Sequence, residues 1–235
     1  MSGTLNLQSR VAIVTGSSSG AGRAIALALA SEGASVVCSD LIPELRPGGY
    51  ETETAPTHEV ITRTGKAIFK RADASLPQDV EALVAAAVAE FGRLDIMVNN
   101  AGIFCGQNRI ADESVEAFDK TIAVNTRGPF LGMKYAIAQM MKQEPRPTGD
   151  RGWVVNISSI GGLVGLPMEP IDYAPDKIHV NGVCPGFLKT AMVRSALEDS
   201  ALHKELHDAL RGRIWDLRQM WERRSFSFVV MGQAG

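Results

Sequence analysis

The sequence lacks the features that mark secreted, membrane-spanning and metal-binding proteins. Its three cysteines, Cys38, Cys105 and Cys184, are odd in number and far apart, which predicts neither a disulfide framework nor a zinc site. No apolar run approaches the roughly 18 residues of a spanning helix, and residues 1–8 lack the layout of a signal peptide. The net charge of −2 gives no attraction to nucleic acid or an acidic membrane. These absences predict a cytoplasmic protein that binds no nucleic acid, membrane or metal.

What the sequence does contain is a regular alternation of short β-branched runs with helical patterns. At 235 residues and 45% hydrophobic composition, the chain has the size of one domain with a sizeable core. Strands are predicted at 11–16, 35–40, 66–73, 94–102, 152–159 and from 178 onwards. Helices are predicted at 22–34, 77–91 and 114–143, the last bent near Gly128-Pro129, and 41–57 is predicted to be a loop. This order predicts an α/β fold with a doubly wound parallel sheet.

A glycine-rich turn joins the first predicted strand to the first predicted helix. The segment TGSSSGAGRAIA (15–26) places Gly16, Gly20 and Gly22 there. Glycine permits a tight turn, lets the backbone approach a pyrophosphate and lets the helix pack close to the strand. The free N–H groups at the start of the helix then face the phosphates. Because the turn follows a strand and opens a helix, it predicts a dinucleotide site rather than an ordinary glycine turn.

Asp40 gives an independent indication of the same ligand. It ends the second predicted strand 24 residues after Gly16, near the roughly 20-residue offset of the acid that binds the ribose hydroxyls. A carboxylate there repels a 2′-phosphate, and the serines at 17–19 supply no compensating cation. The spacing therefore favours NAD over NADP. The alternative is an acid that only caps a turn at the end of its strand.

Four motifs together resemble the short-chain dehydrogenase/reductase family, classical type. They are the glycine spacing of 16, 20 and 22, NNAG at 99–102, NISS at 156–159 and PG at 185–186, in the family's order. The resemblance implies a Rossmann-type domain that carries NAD(P) and moves a hydride between nicotinamide and a small alcohol or ketone. On this reading, residues 1–197 form the NAD(P)-binding domain and residues 198–235 a divergent C-terminal tail.

The resemblance also implies site residues beyond the turn. The cofactor-binding set that it implies is Gly16, Ser18, Ser19, Gly20, Ala21, Gly22, Asp40, Asp73, Asn100, Ala101, Gly102, Pro185, Gly186 and Thr190. In this set Asp73 lies by the adenine, residues 100–102 lie beside the adenosine ribose, and residues 185, 186 and 190 border the nicotinamide. Ser159 matches the serine that holds the substrate oxygen. Asn125 matches the helix asparagine that supports a proton relay.

Tyr173 and Lys177 have the spacing of the catalytic tyrosine and lysine of this family. A lysine one helical turn from a tyrosine lowers the tyrosine pKa from near 10, so that the hydroxyl can pass a proton as the hydride moves. Pro175 between them and the strand-like run after Lys177 oppose a helix at this point. The alternative is that 172–181 is the connection after the catalytic helix, with about twenty residues absent before it and the crossover to the sixth strand incomplete.

Two functions remain open at this stage. The first is an NAD(P)-dependent oxidoreductase, and the second is a dinucleotide-binding relative with little or no catalysis because the tyrosine-lysine helix is lost. In this family that helix also builds much of the subunit interface, so the usual homo-oligomer is in doubt here. In the tail, acids interspersed among Trp215, Trp221 and the arginines favour a solvated amphipathic helix over a helix that binds nucleic acid or membrane.

Overall fold

The computed structural model describes residues 7–104, 113–158, 178–183 and 190–193, with 178–183 described by their backbone. Within these described residues, six strands form one sheet, and every neighbouring pair is parallel. Their bounds are β1 Val11–Thr15, β2 Ser35–Asp40, β3 Ala67–Arg71, β4 Ile96–Asn99, β5 Gly152–Ile157 and β6 Ile178–Val183. The order across the sheet is β3-β2-β1-β4-β5-β6. The predicted doubly wound α/β fold is confirmed, and it is the Rossmann order.

Five α-helices lie in the described part of the chain. Their bounds are α1 Gly20–Ser31, α2 Thr57–Thr62, α3 Pro77–Phe91, α4 Val115–Ile122 and α5 Gly128–Lys142. The α3 helix has its proline in the first turn and ends at Gly92 with a φ of 84°, as the sequence predicts. The short α2 helix was not predicted, because six residues give too little periodicity. Among these helices none has the length and apolarity that crossing a bilayer requires.

The long helical pattern at 114–143 is interrupted rather than continuous. A π-helical segment, Ala123–Arg127, separates α4 from α5. The sequence predicted a bend at Gly128-Pro129, and the irregularity lies directly before that pair. Pro129 itself is in the first turn of α5, where proline costs no hydrogen bond. A π-helical segment widens the helix locally and is often found at functional sites.

Two hydrophobic clusters, one on each face of the sheet, form the described core. Along β1, Val11 and Ile13 face the cluster under α3 and α5, while Ala12 and Val14 face the cluster under α1 and α2. All five β1 residues are buried, as expected for a parallel strand covered on both faces. Complete burial of a side chain such as Ile13 stabilises the fold by about 1.5–3 kcal/mol.

The order of the strands places the functional end of the sheet. Successive connections run to opposite sides of β1, so a crevice is expected outside the carboxyl ends of β1 and β4. The glycine turn follows β1, and Asp40 ends β2 at the same edge. The predicted incomplete crossover at 160–177 and the predicted tail at 198–235 lie outside the described residues, and the division at residue 197 stays a prediction.

Candidate functional site

The glycine turn after β1 has a shape that favours glycine at three positions. Gly16 and Gly20 have φ values of +66° and +58°, in the left-handed region. A Cβ on Gly22 would lie 2.1 Å from the carbonyl oxygen of Gly16. The α1 helix begins at Gly20, and Ser19 makes no side-chain hydrogen bond to the helix start. The backbone N–H groups at the positive end of the α1 dipole are therefore not capped by Ser19, and that of Gly20 donates to Glu51 Oε1 instead.

The end of β4 is fastened to this turn by Thr15 and Asn100. The backbone N–H groups of Asn100 and Ala101 both donate to Thr15 Oγ1 at 3.0 Å. The side-chain amide of Asn100 donates to the carbonyl oxygens of Thr15 and Gly16 at 3.0 and 3.3 Å. The structure thus brings together the turn and residues 100–101, and their predicted place beside the adenosine ribose stays a prediction. Thr15 was not predicted as part of the site, since its one signal in the sequence is its place directly before Gly16.

Asp40 lies against the same turn. Its Oδ2 accepts from the N–H of Ser18 at 3.2 Å, and its Oδ1 accepts from the N–H of Leu41 at 2.8 Å. Ser18 Oγ in turn donates to the carbonyl oxygen of Ile42 at 2.6 Å. An ionised carboxylate has about four acceptor positions, so two backbone bonds leave capacity for further donors such as ribose hydroxyls.

Asp73 follows β3 at the neighbouring end of the sheet. Its Oδ1 accepts from the N–H and the hydroxyl of Ser75 at 2.9 and 2.7 Å, and its N–H donates to Asp79 Oδ2 at 2.9 Å. These bonds form the turn that leads into α3. The N–H of Ala72 donates a hydrogen bond to the carbonyl oxygen of Asp40 at the end of β2. Asp73 is the next residue in the chain and therefore lies close to that strand end. Its predicted place by the adenine stays a prediction.

Asn125 lies in the π-helical segment and joins it to the chain that follows β4. Its Oδ1 accepts from the N–H of Ile103 at 2.9 Å, and its Nδ2 donates to the carbonyl oxygen of Ile103 at 2.8 Å. A Cβ on Gly102 would lie 3.6 Å from Asn125 Oδ1. The side-chain amide therefore holds helix and strand end together, and the predicted proton-relay role stays a prediction.

Thr190 is brought to the glycine turn from far along the chain. A Cβ on Gly20 would lie 3.3 Å from Thr190 Cγ2. The other predicted residues on this side of the site cannot be placed in the same way. Ser159, Tyr173, Lys177, Pro185 and Gly186 lie outside the described residues.

Arg23, a residue that the sequence analysis did not single out, anchors a loop beside the site. Its side chain is 3% exposed, and its guanidinium donates to the carbonyl oxygens of Glu53 and Ala55 and to the hydroxyl of Thr57. Burial lowers the pKa of Arg23, while the carboxylates of Glu51 and Glu53 oppose that shift. The available signal was a charged residue directly after Gly22 in a helix of small residues.

Cys38 lies in β2 behind the turn and is excluded from chemistry at the site. Its side chain is completely buried, and burial raises the pKa of the thiol to about 12. The thiol therefore stays protonated at neutral pH, where only the thiolate is nucleophilic.

Known proteins resemble this chain both in sequence and in fold. The family model described as short chain dehydrogenase matches residues 10–171. An uncharacterized oxidoreductase of Thermotoga maritima is 34% identical over 97% of this chain and 90% of its own length. The 2-(R)-hydroxypropyl-CoM dehydrogenase of Xanthobacter autotrophicus is 37% identical over 88% of this chain and 84% of its own. The crystal structure of levodione reductase, 28% identical, covers 93% of this chain and 90% of its own with a TM-score of 0.73.

The alignments with two of these relatives contain positions at which this chain has no residue. The alignment with the Thermotoga protein has 244 positions but takes in 97% of 235 residues, and the Xanthobacter alignment has 225 positions and takes in 88%. Both alignments are longer than the stretch of this chain that they contain. The family match also ends at residue 171, before Tyr173 and Lys177. The short connection expected before β6 is consistent with both observations and stays a prediction.

The resemblance inferred from the four sequence motifs is confirmed. The family model covers more than half of the chain, and the relatives match it over most of their own length. The sheet has the strand order that the resemblance implied, with the glycine turn at the end of β1. The chain belongs to the short-chain dehydrogenase family of NAD(P)-dependent oxidoreductases.

Proposed function

We propose that this protein is an NAD-dependent oxidoreductase that transfers a hydride between nicotinamide and a small alcohol or ketone. The observation that carries the choice of NAD is the carboxylate of Asp40, bonded to the N–H of Ser18 in the glycine turn. The substrate class is supported by relatives named cyclohexanol dehydrogenase, from Acinetobacter, and levodione reductase, from Leifsonia aquatica. They are 31% and 34% identical to this chain.

The described residues fit a dinucleotide in three respects. The glycine turn has no side chain where the backbone must be approached, since the Cβ of any other residue at Gly22 would overlap Gly16. The start of α1 offers N–H groups and the positive end of a helix dipole to a diphosphate. Asp40 offers acceptors to ribose hydroxyls and repels a phosphate on the ribose. When bound, the cofactor supplies or accepts the hydride at its nicotinamide ring.

The proton for the reaction is assigned to the chain's own residues. Hydride transfer to a ketone leaves charge on oxygen, so a proton must reach that oxygen as the hydride arrives. In this assignment the Ser159 hydroxyl holds the substrate oxygen and Tyr173 gives up the proton, with Lys177 as the cation that assists its release. Asn125 holds the π-helical segment against the chain that follows β4 through its two hydrogen bonds to Ile103.

Replacement of Tyr173 by phenylalanine tests this assignment. We expect turnover of NADH with a panel of cyclic and open-chain ketones, followed at the nicotinamide absorbance band, to fall by about 100-fold or more, because a general acid contributes about 10²–10⁴-fold. The affinity for NADH, measured by fluorescence titration, stays unchanged. The matched variant Tyr135→Phe, on α5, keeps its activity.

Two other outcomes of these measurements would contradict the proposed function. Turnover that Tyr173→Phe leaves unchanged contradicts the catalytic role of Tyr173 and favours a connection at 172–181. NADH binding without turnover of any substrate contradicts the oxidoreductase and favours the dinucleotide-binding relative. A segment that the genomic sequence carries before codon 171 and that this chain lacks would explain that second result.

The preference for NAD is tested at Asp40. We expect Asp40→Asn to lower the ratio of NADPH to NADH dissociation constants by about tenfold or more, because a like charge placed against a phosphate costs several kcal/mol. Both dissociation constants are measured by fluorescence titration. Asp119→Asn, which removes an exposed carboxylate on α4, leaves the ratio unchanged. An unaltered ratio in Asp40→Asn means that Asp40 only caps its turn.

A further inference from the structure

The loop of residues 41–56, between β2 and α2, lies across the glycine turn. Near its start, the carbonyl oxygen of Ile42 accepts from Ser18 Oγ at 2.6 Å. Further along, the Oε1 of Glu51 accepts from the backbone N–H of Gly20 at 2.6 Å. The loop thus contacts the turn at two points. In the second contact, a carboxylate of the loop accepts a hydrogen bond from the first residue of α1.

The end of this loop is held by buried hydrogen bonds. The Arg23 guanidinium donates to Ala55 O at 2.9 Å, to Glu53 O at 3.0 Å and to Thr57 Oγ1 at 3.0 Å. The Thr57 hydroxyl donates to the carbonyl oxygen of Ser17 at 2.7 Å. Because Arg23 and Thr57 are 3% and 2% exposed, this anchor is shielded from water. Because Arg23 lies in the first turn of α1, its bond to Glu53 O holds the chain two residues after Glu51 beside the start of that helix.

The contact between Glu51 and Gly20 uses the group that a diphosphate needs. A carboxylate at the first turn of a helix is stabilised by the helix dipole and by a charge-assisted hydrogen bond. A phosphate is bound at a helix start by the same N–H groups and the same dipole. Two anions at one N–H repel each other, and Asp40 already places a second carboxylate on the turn.

We propose that the Glu51 carboxylate and the cofactor diphosphate compete for the start of α1, so that Glu51 sets the affinity of the chain for its dinucleotide. This rests on the proposed function, because it assigns the glycine turn to a dinucleotide. Only molecules in which the N–H of Gly20 is free of Glu51 bind the diphosphate. The apparent dissociation constant is the intrinsic constant divided by the fraction of such molecules. The loop 41–56 moves off Gly20 while Arg23 keeps its end in place.

The test compares a ligand that contains a diphosphate with one that does not. ADP-ribose and adenosine are titrated by calorimetry against the wild-type chain, Glu51→Ala, Glu51→Gln and the control Glu44→Gln. Glu44 is an exposed acid on the same loop. We expect Glu51→Ala to bind ADP-ribose about tenfold more tightly or better, the equivalent of one lost charge-assisted hydrogen bond. Glu51→Gln keeps an acceptor oxygen without the charge and should gain less.

Adenosine affinity is expected to be the same in all four proteins, because adenosine brings no anion to α1. Unchanged or weaker binding of ADP-ribose to Glu51→Ala contradicts the competition. Equal weakening of ADP-ribose and adenosine contradicts it as well, since Glu51 would then support the adenosine end. If the wild-type chain binds ADP-ribose and Glu51→Ala gains nothing, the role of Glu51 fails alone. If neither folded protein binds ADP-ribose, checked by thermal unfolding, the proposed function fails with it.

Discussion

Replacing Gly22 with alanine is expected to abolish dinucleotide binding, with a loss of NADH affinity of about 100-fold or more. The added Cβ would lie 2.1 Å from the carbonyl oxygen of Gly16 and 2.5 Å from the side-chain nitrogen of Asn100. Neither neighbour can yield, because Asn100 is bonded to both Thr15 and Gly16. The turn must open, which moves the N–H groups of α1 away from the diphosphate. A cost of about 2.7 kcal/mol corresponds to that loss and lies within the range for overpacking.

Fluorescence titration with NADH measures this effect, and thermal unfolding reports whether the variant folds. Gly65→Ala is the matched control, because its Cβ would meet nothing closer than 3.5 Å and its affinity should equal that of the wild type. If Gly22→Ala does not fold, Gly20→Ala serves instead, since Gly20 has a φ of +58° and lies near Thr190. Wild-type affinity in the folded variant would show that the diphosphate does not lie on this turn.

The glycine turn could be predicted from the sequence because its parts are contiguous. A buried strand, the glycines and a helix of small residues follow one another between residues 11 and 31. The place of Asp40 beside this turn could be predicted because Asp40 ends the next strand along the chain. In both cases local chemistry and the parallel sheet determine where the residues lie.

The contacts that hold this turn in place could not be predicted in the same way. Thr15 and Asn100 are 85 residues apart, and Gly20 and Glu51 are 31 residues apart. The sequence indicated only that 41–57 is a loop, because proline and glycine predict the absence of an element and not the path of the chain. Which carboxylate of such a loop reaches a helix start depends on its anchor, here Arg23, and on packing that a single sequence does not display.

The bend in the long helical pattern illustrates a partial success. Gly128-Pro129 correctly indicated an interruption, but proline fits the first turn of α5, and the irregular turns lie before it at Ala123–Arg127. The paired bonds between Asn125 and Ile103 hold that segment against the end of β4. This pairing spans 22 residues and has no periodic signal.

The second large effect is expected at the opposite end of the sheet, at Asp95. This residue precedes β4, is completely buried, and accepts one hydrogen bond from the N–H of Val11 at 2.9 Å. Arg93 donates to Oδ1 at 2.9 Å, and Arg146 donates to both carboxylate oxygens at 2.9 and 2.7 Å. Arg10 completes the cluster at 3.6 Å. One buried carboxylate therefore balances three partly buried cations and ties the start of β1 to the start of β4.

Asp95→Asn is expected to lower the free energy of unfolding by about 3–5 kcal/mol, the usual cost of removing one partner from a buried charge pair. The amide keeps the shape of the side chain but leaves three guanidinium groups without their counter-charge. Urea unfolding at pH 7 measures the loss, which is a large part of the roughly 5–15 kcal/mol that holds a domain folded. Glu53→Gln, which breaks the exposed pair with Arg63, is the control and should change little. Equal stability of the two variants would contradict the prediction.

The same carboxylate should make stability fall in acid. Burial alone would raise the pKa of Asp95, but the hydrogen bonds from Arg146 and Val11 and the charge of Arg93 outweigh it, so the pKa lies below its ordinary value of 3.8. A depressed pKa gives a contribution that is complete above the unfolded value near pH 4 and is lost as the pH falls through the folded value. We therefore expect the difference in unfolding free energy between wild type and Asp95→Asn to be constant from pH 7 to about pH 5 and to shrink below about pH 4. A difference that stays constant down to pH 2 would contradict the prediction that the charge of Asp95 stabilises the fold.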